Sequence, residues 1–205
     1  ALKEINNGNT QCITLEGHGR EDIDHFIDHS RTVGWFTTMF PIKLELQNNL
    51  KESIQFIKES LRNIPNKGIG FGAFATAKET SYTHTDLAPI SFNYLGQFDI
   101  QERDWQIVSE DSGNSMDLAN EDHNMINING MVSNGKLGFS VVTRLGEDVT
   151  KKLSDSFEDQ LTKIINHCNE KLENKEVSYT PSDFKSVRIS QSLLDKLQLK
   201  AKKPI

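Results

Sequence analysis

The chain has 205 residues, of which 23 are basic and 29 are acidic, so its formal net charge is −6. This length suits one globular domain or one lobe of a larger domain. The acidic balance argues against a nucleic acid partner, because a phosphate backbone attracts a basic field. No apolar run approaches the length that a bilayer requires, and the N-terminus lacks a signal-peptide pattern, so a cytoplasmic protein is predicted.

The first half of the chain predicts two strands and one helix. Residues 2–7 resemble the end of a helix, and residues 11–16 alternate like a strand that stops at a glycine. Residues 35–46 are rich in β-prone side chains and predict a second strand, bent at Pro41. A helix from Asn49 to Asn63 is predicted to cover the sheet, because its apolar residues recur along one face. These residues are Leu50, Ile54, Ile57 and Leu61.

The second half predicts a glycine-rich turn, a loop, three strands and a long helix. The turn, the loop and the first of these strands are predicted at residues 67–75, 76–88 and 89–98. Two further strands, at residues 125–132 and 136–143, flank Asn134-Gly135, a strong signal for a tight hairpin turn. An amphipathic helix is predicted from Val149 to Asn174. Strands interleaved with covering helices favour an α/β fold, a mixed sheet with helices packed on one face.

The densest polar cluster lies at residues 16–21, where the first strand ends. Glu16 and Arg20, four residues apart, suit a proton-transfer group and a fixed cation for developing negative charge. The alternative is an ion pair that only stabilises a turn. Cys12 and Cys168 lie far apart with no CxxC pattern, so a disulfide framework is not favoured and buried or unreactive thiols are predicted.

Three other patterns have simpler explanations than a functional site. His25 and His29 are spaced like metal ligands on a helix, but no third ligand is evident, so a solvated helix face is favoured. The glycines at residues 68–72 lack the spacing of a phosphate or dinucleotide loop, and a tightly packed turn is favoured. Asn93 and Tyr94 fall on opposite faces of a strand, so only one of them points directly into a given pocket.

Four motifs occur in an order that resembles the epimerization domains of nonribosomal peptide synthetases. They are LEGHGRE at 15–21, SRTVGWFTTMFP at 30–41, PNKGIGFG at 65–72 and ISFNYLGQFD at 90–99. The resemblance covers nearly the whole chain, including an exit segment with YTPSDF and ISQSLLDKL. Phe40 and Phe71 stand where the family often has tyrosine, and the family's histidine motif, HHxxxDG, does not occur in this sequence.

The resemblance implies one chloramphenicol-acetyltransferase-like lobe of the condensation and epimerization fold. Residues 1–178 would form the C-terminal lobe and residues 179–205 the exit linker towards the next module. The histidine would come from an N-terminal lobe, with the site in a tunnel between the two. The implied partners are that lobe, a peptidyl carrier protein domain and a downstream module. No cofactor of its own is expected, since the substrate is carried on the phosphopantetheine of the carrier.

The resemblance also implies roles for individual residues. Glu16 matches the catalytic glutamate and Arg20 the arginine that orients it or stabilises charge. Asn93 and Tyr94 match residues near the substrate, and His18 is expected to support the loop. The implied reaction is inversion of the α-carbon of an aminoacyl or peptidyl thioester. Two alternatives remain: half of a condensation domain that forms peptide bonds, and a catalytically inactive lobe that docks carrier proteins.

Overall fold

A computed structural model describes residues 1–6, 8–23, 26–77, 87–98, 110–111, 113, 117, 119–184 and 186–201. Its framework is a five-stranded mixed sheet with the strand order β2-β1-β3-β4-β5. The two outer pairs, β1–β2 and β4–β5, are antiparallel, whereas β1–β3 and β3–β4 are parallel. The strands are β1 (Thr10–Gly17), β2 (Thr38–Glu45), β3 (Ile90–Gln97), β4 (Ile126–Ser133) and β5 (Lys136–Thr143).

Among the residues that the structure describes, five α-helices accompany the sheet, and the two longest cover its apolar face. They are α1 (Lys3–Asn6), α2 (Leu50–Arg62), α3 (Phe71–Thr76), α4 (Glu147–Glu173) and α5 (Gln191–Ala201). Helix α2 begins at Asn49, whose side chain accepts a hydrogen bond from the backbone N–H of Glu52, and this satisfies one of the free N–H groups of a helix start. Both predicted helices agree with α2 and α4 to within two residues at each end.

The core lies between the sheet and α4. Leu153 of α4 is 1% exposed and packs on Ile126 and Ile128 of β4. The ring of Phe157 meets that of Phe139 edge to face, with 5.0 Å between their centroids. Successive strand residues point to opposite faces, so these apolar residues leave alternate positions on the other face. Those positions are polar along the three central strands: Thr14, Glu16, Ser91, Asn93, Asn127 and Asn129.

The predicted hairpin is confirmed at Asn134-Gly135. Both residues have positive φ, 52° and 68°, as the tight turn that matches strand twist requires. Further back in the hairpin, the Phe139 ring lies against Gly130, where an added Cβ would come within 2.2 Å of the ring. This contact fixes the register of β4 against β5 from the core side of the sheet.

The glycine-rich turn is confirmed at residues 67–70, whereas residues 71–75 of the predicted turn belong to α3. Gly68 is buried with φ +83°, and an added Cβ would lie 2.2 Å from the Phe40 ring. The sequence did not predict α3, which begins three residues later at Phe71. Most of the predicted loop at residues 76–88 lies outside the described residues.

Three other expectations need correction or lie beyond what is described. His29 belongs to an irregular segment and not to a helix, so the solvated helix face is wrong, and His25 lies outside the described residues. Both cysteines are exposed, which corrects the prediction of buried thiols. None of the described helices is long and apolar enough to cross a membrane.

The segment after α4 docks on α2. Asp183 bonds to Lys58 at 2.7 Å and to Arg62 at 2.6 Å. Glu59 accepts hydrogen bonds from the backbone N–H and the hydroxyl of Ser182. Thr180, 1% exposed, forms a reciprocal capping box with Asp183. The start of the predicted exit segment is therefore held against α2.

Candidate active site

Glu16, next to the last residue of β1, meets Asn93 in the middle of the neighbouring parallel strand β3. The pairing of Leu15 with Phe92 places the next residues, Glu16 and Asn93, level with each other on the polar face. The side-chain amide of Asn93 donates to a carboxylate oxygen of Glu16 at 3.0 Å. This bond engages one carboxylate oxygen of Glu16 and restrains the direction in which the second one points. Both residues are partly exposed, so a ligand can reach the carboxylate.

Tyr94 lies on the opposite face from Asn93. It pairs with Gly130 of β4, and the register between β3 and β4 shifts after it. Its side chain is 48% exposed. The predicted alternation of Asn93 and Tyr94 is confirmed. A ligand bound to Glu16 on one face of the sheet would have to extend around the strand end to contact Tyr94 directly.

Arg20 anchors the irregular segment that follows β1. Its guanidinium donates to the carbonyl oxygens of His29 at 2.7 Å and Thr32 at 2.8 Å. The same group lies 4.1 Å from the centre of the Phe36 ring, a favourable cation–π contact. Within the described part of the chain Arg20 makes no ion pair with Glu16. The simple ion-pair alternative is therefore wrong, and any effect of Arg20 on Glu16 acts through the segment that it holds.

Gly19 allows this segment to approach the end of β1. Its φ is +66°, and an added Cβ would lie 1.6 Å from the carbonyl oxygen of Phe36. Only glycine combines this backbone conformation with so close a contact. The two glycines of the LEGHGRE motif therefore differ, because Gly17 meets nothing closer than 3.2 Å.

His18, Glu21 and Lys67 form a polar link beside the site. One carboxylate oxygen of Glu21 lies 3.0 Å from Nε2 of His18, and the other lies 2.6 Å from the ammonium group of Lys67. Nδ1 of His18 accepts the backbone N–H of Arg20. Both imidazole nitrogens are thus engaged in the loop, in agreement with a supporting role for His18.

Lys67 and its neighbour Asn66 adopt left-handed backbone conformations, with φ of 51° and 44°. Such conformations cost of order 1–2 kcal/mol for residues other than glycine. They bring the turn at residues 65–68 against the segment that follows β1. Two of the four sequence motifs, PNKGIGFG and LEGHGRE, therefore touch through the ion pair of Lys67 with Glu21. Strain of this kind tends to occur at functional sites.

Residues 1–186 match the model of the condensation domain. The chain belongs to the condensation domain family. It is 36% identical over 210 residues to bacitracin synthase 3 of Bacillus licheniformis, covering 98% of this chain and 3% of that protein. Gramicidin S synthase 1 of Brevibacillus brevis is 37% identical over 204 residues, covering 90% of this chain and 18% of that protein.

A solved structure is also similar to this condensation-family chain. It is the epimerization domain from the third module of tyrocidine synthetase B, with 37% identity and a TM-score of 0.68. The match covers 82% of this chain and 39% of the solved domain. The mixed sheet with helices is thus the fold of condensation and epimerization domains, and the resemblance found in the sequence is confirmed. The chain is a condensation-family domain of nonribosomal peptide synthetases and spans a small part of the curated relatives.

Sequence reasoning did not single out two polar residues that share the face of Glu16. Asn129 of β4 pairs with Asn93, and Ser140 of β5 pairs with Asn129. The available signal was the alternation of asparagine with isoleucine at residues 126–129, which marks one polar face of a strand.

Proposed function

We propose that this chain forms the C-terminal lobe of an epimerization domain. That domain inverts the α-carbon of an aminoacyl or peptidyl thioester on a phosphopantetheinyl carrier protein. The observation that carries the proposal is the hydrogen bond between Glu16 and Asn93, because it joins two of the motifs by which the sequence resembles epimerization domains. The similarity to a solved epimerization domain supports it.

The chemistry suits the geometry of the site. Removing a proton next to a thioester carbonyl produces an enolate, so inversion needs an acid/base group on each side of the α-carbon. Glu16 supplies one such group at a strand end that a substrate can reach. A histidine of an N-terminal lobe supplies the other. Asn93 keeps the Glu16 carboxylate in one orientation, and fixed orientation is a large part of the rate advantage of an active site.

A condensation activity is the second candidate, favoured by the name of the family model that matches residues 1–186. A product assay separates the two activities. The complete protein is supplied with a loaded donor carrier and a loaded acceptor carrier, and the released amino acids and peptides are analysed on a chiral column. Mixed configuration at the α-carbon is the expected result. A new peptide bond with unchanged configuration would establish condensation and exclude the proposed function.

A catalytically inactive docking lobe is the third possibility. It predicts that the loaded carrier binds but that neither the configuration nor the length of its acyl group changes. The same assay therefore distinguishes all three functions.

A further inference from the structure

Glu16 belongs to a row of side chains that crosses all five strands on the polar face. Met39 pairs with Glu16, Asn93 pairs with Asn129, and Asn129 pairs with Ser140. The hydrogen bond between Glu16 and Asn93 links the members of this row that lie on β1 and β3. We call these five residues the Glu16 row.

In the neighbouring row on the same face, polar side chains are already hydrogen-bonded within the protein. The hydroxyl of Thr14 donates to the carbonyl of Ala88 at 2.9 Å, and the amide of Asn127 donates to Asp122 at 2.6 Å. Asn129 and Ser140, in contrast, are exposed and have no side-chain hydrogen bond to any residue that the structure describes. Their polar groups are therefore open to a ligand that lies along the Glu16 row.

The backbone that carries Asn129 is fixed from the core side. Its neighbours Ile128 and Gly130 are both buried, and the Phe139 ring lies against Gly130. Because the strand that carries Asn129 is held in place, little conformational entropy is lost when its side chain binds a ligand. This favours specific recognition.

The spacing of the strands says which part of a substrate Asn129 meets. Neighbouring strands lie about 4.8 Å apart, so the backbone of Asn129 is about 10 Å from that of Glu16. An atom bonded to Asn129 therefore lies several bonds from the atom that Glu16 deprotonates. A carboxamide offers both a donor and an acceptor, the set that pairs with a secondary amide.

We propose that Asn129 hydrogen-bonds a secondary amide of the carrier-bound substrate and so positions its α-carbon over Glu16. The inference rests on the proposed function, since it assumes that the acyl group of a carrier lies on this face. Two parts of the substrate contain such an amide: the peptide bond before the inverted residue and the pantetheine arm. Ser140, one strand further out, extends the same polar surface.

The test measures carrier binding by the complete domain, without substitution and as Asn129→Ala. Three carriers are compared, bearing bare pantetheine, an amino acid or a dipeptide, the last two joined by an amide in place of the thioester. Asn169→Ala, an exposed asparagine on α4, is the matched control. Loss of one neutral hydrogen bond corresponds to a Kd raised about 3- to 10-fold. Thermal unfolding of each variant checks that the fold is retained.

Each pattern of Kd values has one meaning. A rise for all three carriers assigns the contact to the pantetheine arm, and a rise for the dipeptide alone assigns it to the preceding peptide bond. Values equal to those of the Asn169 control for every carrier would overturn the proposal. So would a rise for both loaded carriers but not the bare one, because it would put Asn129 at the linkage. Binding is measured without inversion, so a domain that binds carriers but inverts nothing contradicts the proposed function alone.

Discussion

Glu16 owes its position to the end of β1 at Gly17 and to the parallel strand β3, which places Asn93 level with it. A carboxylate in this position can take or give a proton only if it stays ionisable and correctly aimed. Asn93 aims it without neutralising it, because a side-chain amide donates a hydrogen bond and carries no charge. The pair therefore suits proton transfer better than a tight ion pair would.

Replacement of Glu16 by Gln is expected to lower the rate of inversion about 100- to 10,000-fold in the complete protein, because a proton-transfer group is lost. Loading of the carrier should be unchanged. Chiral analysis of the released substrate measures the first quantity, and mass spectrometry of the carrier measures the second. Glu158→Gln, on the exposed side of α4, is the control and should behave like the unsubstituted protein. Inversion at the normal rate in the Glu16 variant would remove this residue from the mechanism.

The sequence was informative about Glu16 and less so about Arg20. The motif resemblance pointed to Glu16 and Asn93, and the two residues do meet. It also suggested that Arg20 orients Glu16 or stabilises charge, and in the structure the guanidinium bonds to the carbonyls of His29 and Thr32. Those acceptors are backbone atoms of an irregular segment. No periodic pattern encodes where such atoms lie, so their partner could not be read from residue types.

At the scale of elements, the local pieces were predictable and their order in the sheet was not. The Asn134-Gly135 hairpin and the two long helices follow from turn chemistry and from apolar periodicity within one segment. The placement of β1 between β2 and β3 depends on a parallel pairing between residues 14–15 and 91–92. That pairing spans more than seventy residues of chain. The residue pattern of a strand does not identify a partner strand so distant in the sequence.

The close approach at Gly19 gives a prediction for the segment that follows β1. Gly19→Ala should lower the free energy of unfolding by about 2 kcal/mol or more, since it adds the cost of a left-handed backbone to a collision with Phe36. Gly72→Ala is the matched control. Gly72 lies in α3 with no atom within 4 Å of an added Cβ, so alanine there should stabilise slightly. Urea unfolding of both variants tests the contrast, and equal effects would contradict it.

The docking of the segment after α4 gives a prediction that depends on pH. Hydrogen bonding from Lys58 lowers the pKa of Asp183 well below its usual range, and the backbone N–H of Thr180 and the side chain of Arg62 act in the same direction. A lowered pKa in the folded state contributes stability above the unfolded pKa, about 4 for aspartate, and loses it as the pH falls towards the folded pKa.

Asp183→Asn should therefore lower the free energy of unfolding by about 1 kcal/mol at pH 7, a modest value because the pairs are partly exposed. The difference should be constant from pH 7 to about 5 and shrink below about 4. Asp159→Asn, which breaks an exposed pair with Lys163 on α4, should change stability by less than about 0.5 kcal/mol. A difference for Asp183 that persists unchanged in acid would show that its charge is not the cause.

At the scale of the whole molecule, the loop between β1 and β2 leaves large apolar side chains uncovered. Val33 and Trp35 are 100% and 91% exposed, although side chains of this kind are normally covered. The chain matches 39% of the solved epimerization domain. An inversion site needs groups on both faces of the α-carbon, and in the proposed function Glu16 is one of them. A second lobe that brings the other group would also cover this apolar loop.

The chain alone is therefore expected not to catalyse inversion, even where it folds. Without a second lobe Glu16 faces water, and no tunnel aligns the pantetheine arm, so the advantage of proximity is lost. Incubation of the chain with an aminoacyl-loaded carrier in deuterated water tests this directly, because any proton abstraction exchanges deuterium into the α-position. Mass spectrometry should find no exchange above that of the carrier alone, and the exposed loop should favour self-association in sedimentation measurements. Deuterium incorporation above the background would mean that one lobe is sufficient, and the two-lobe mechanism would have to be given up.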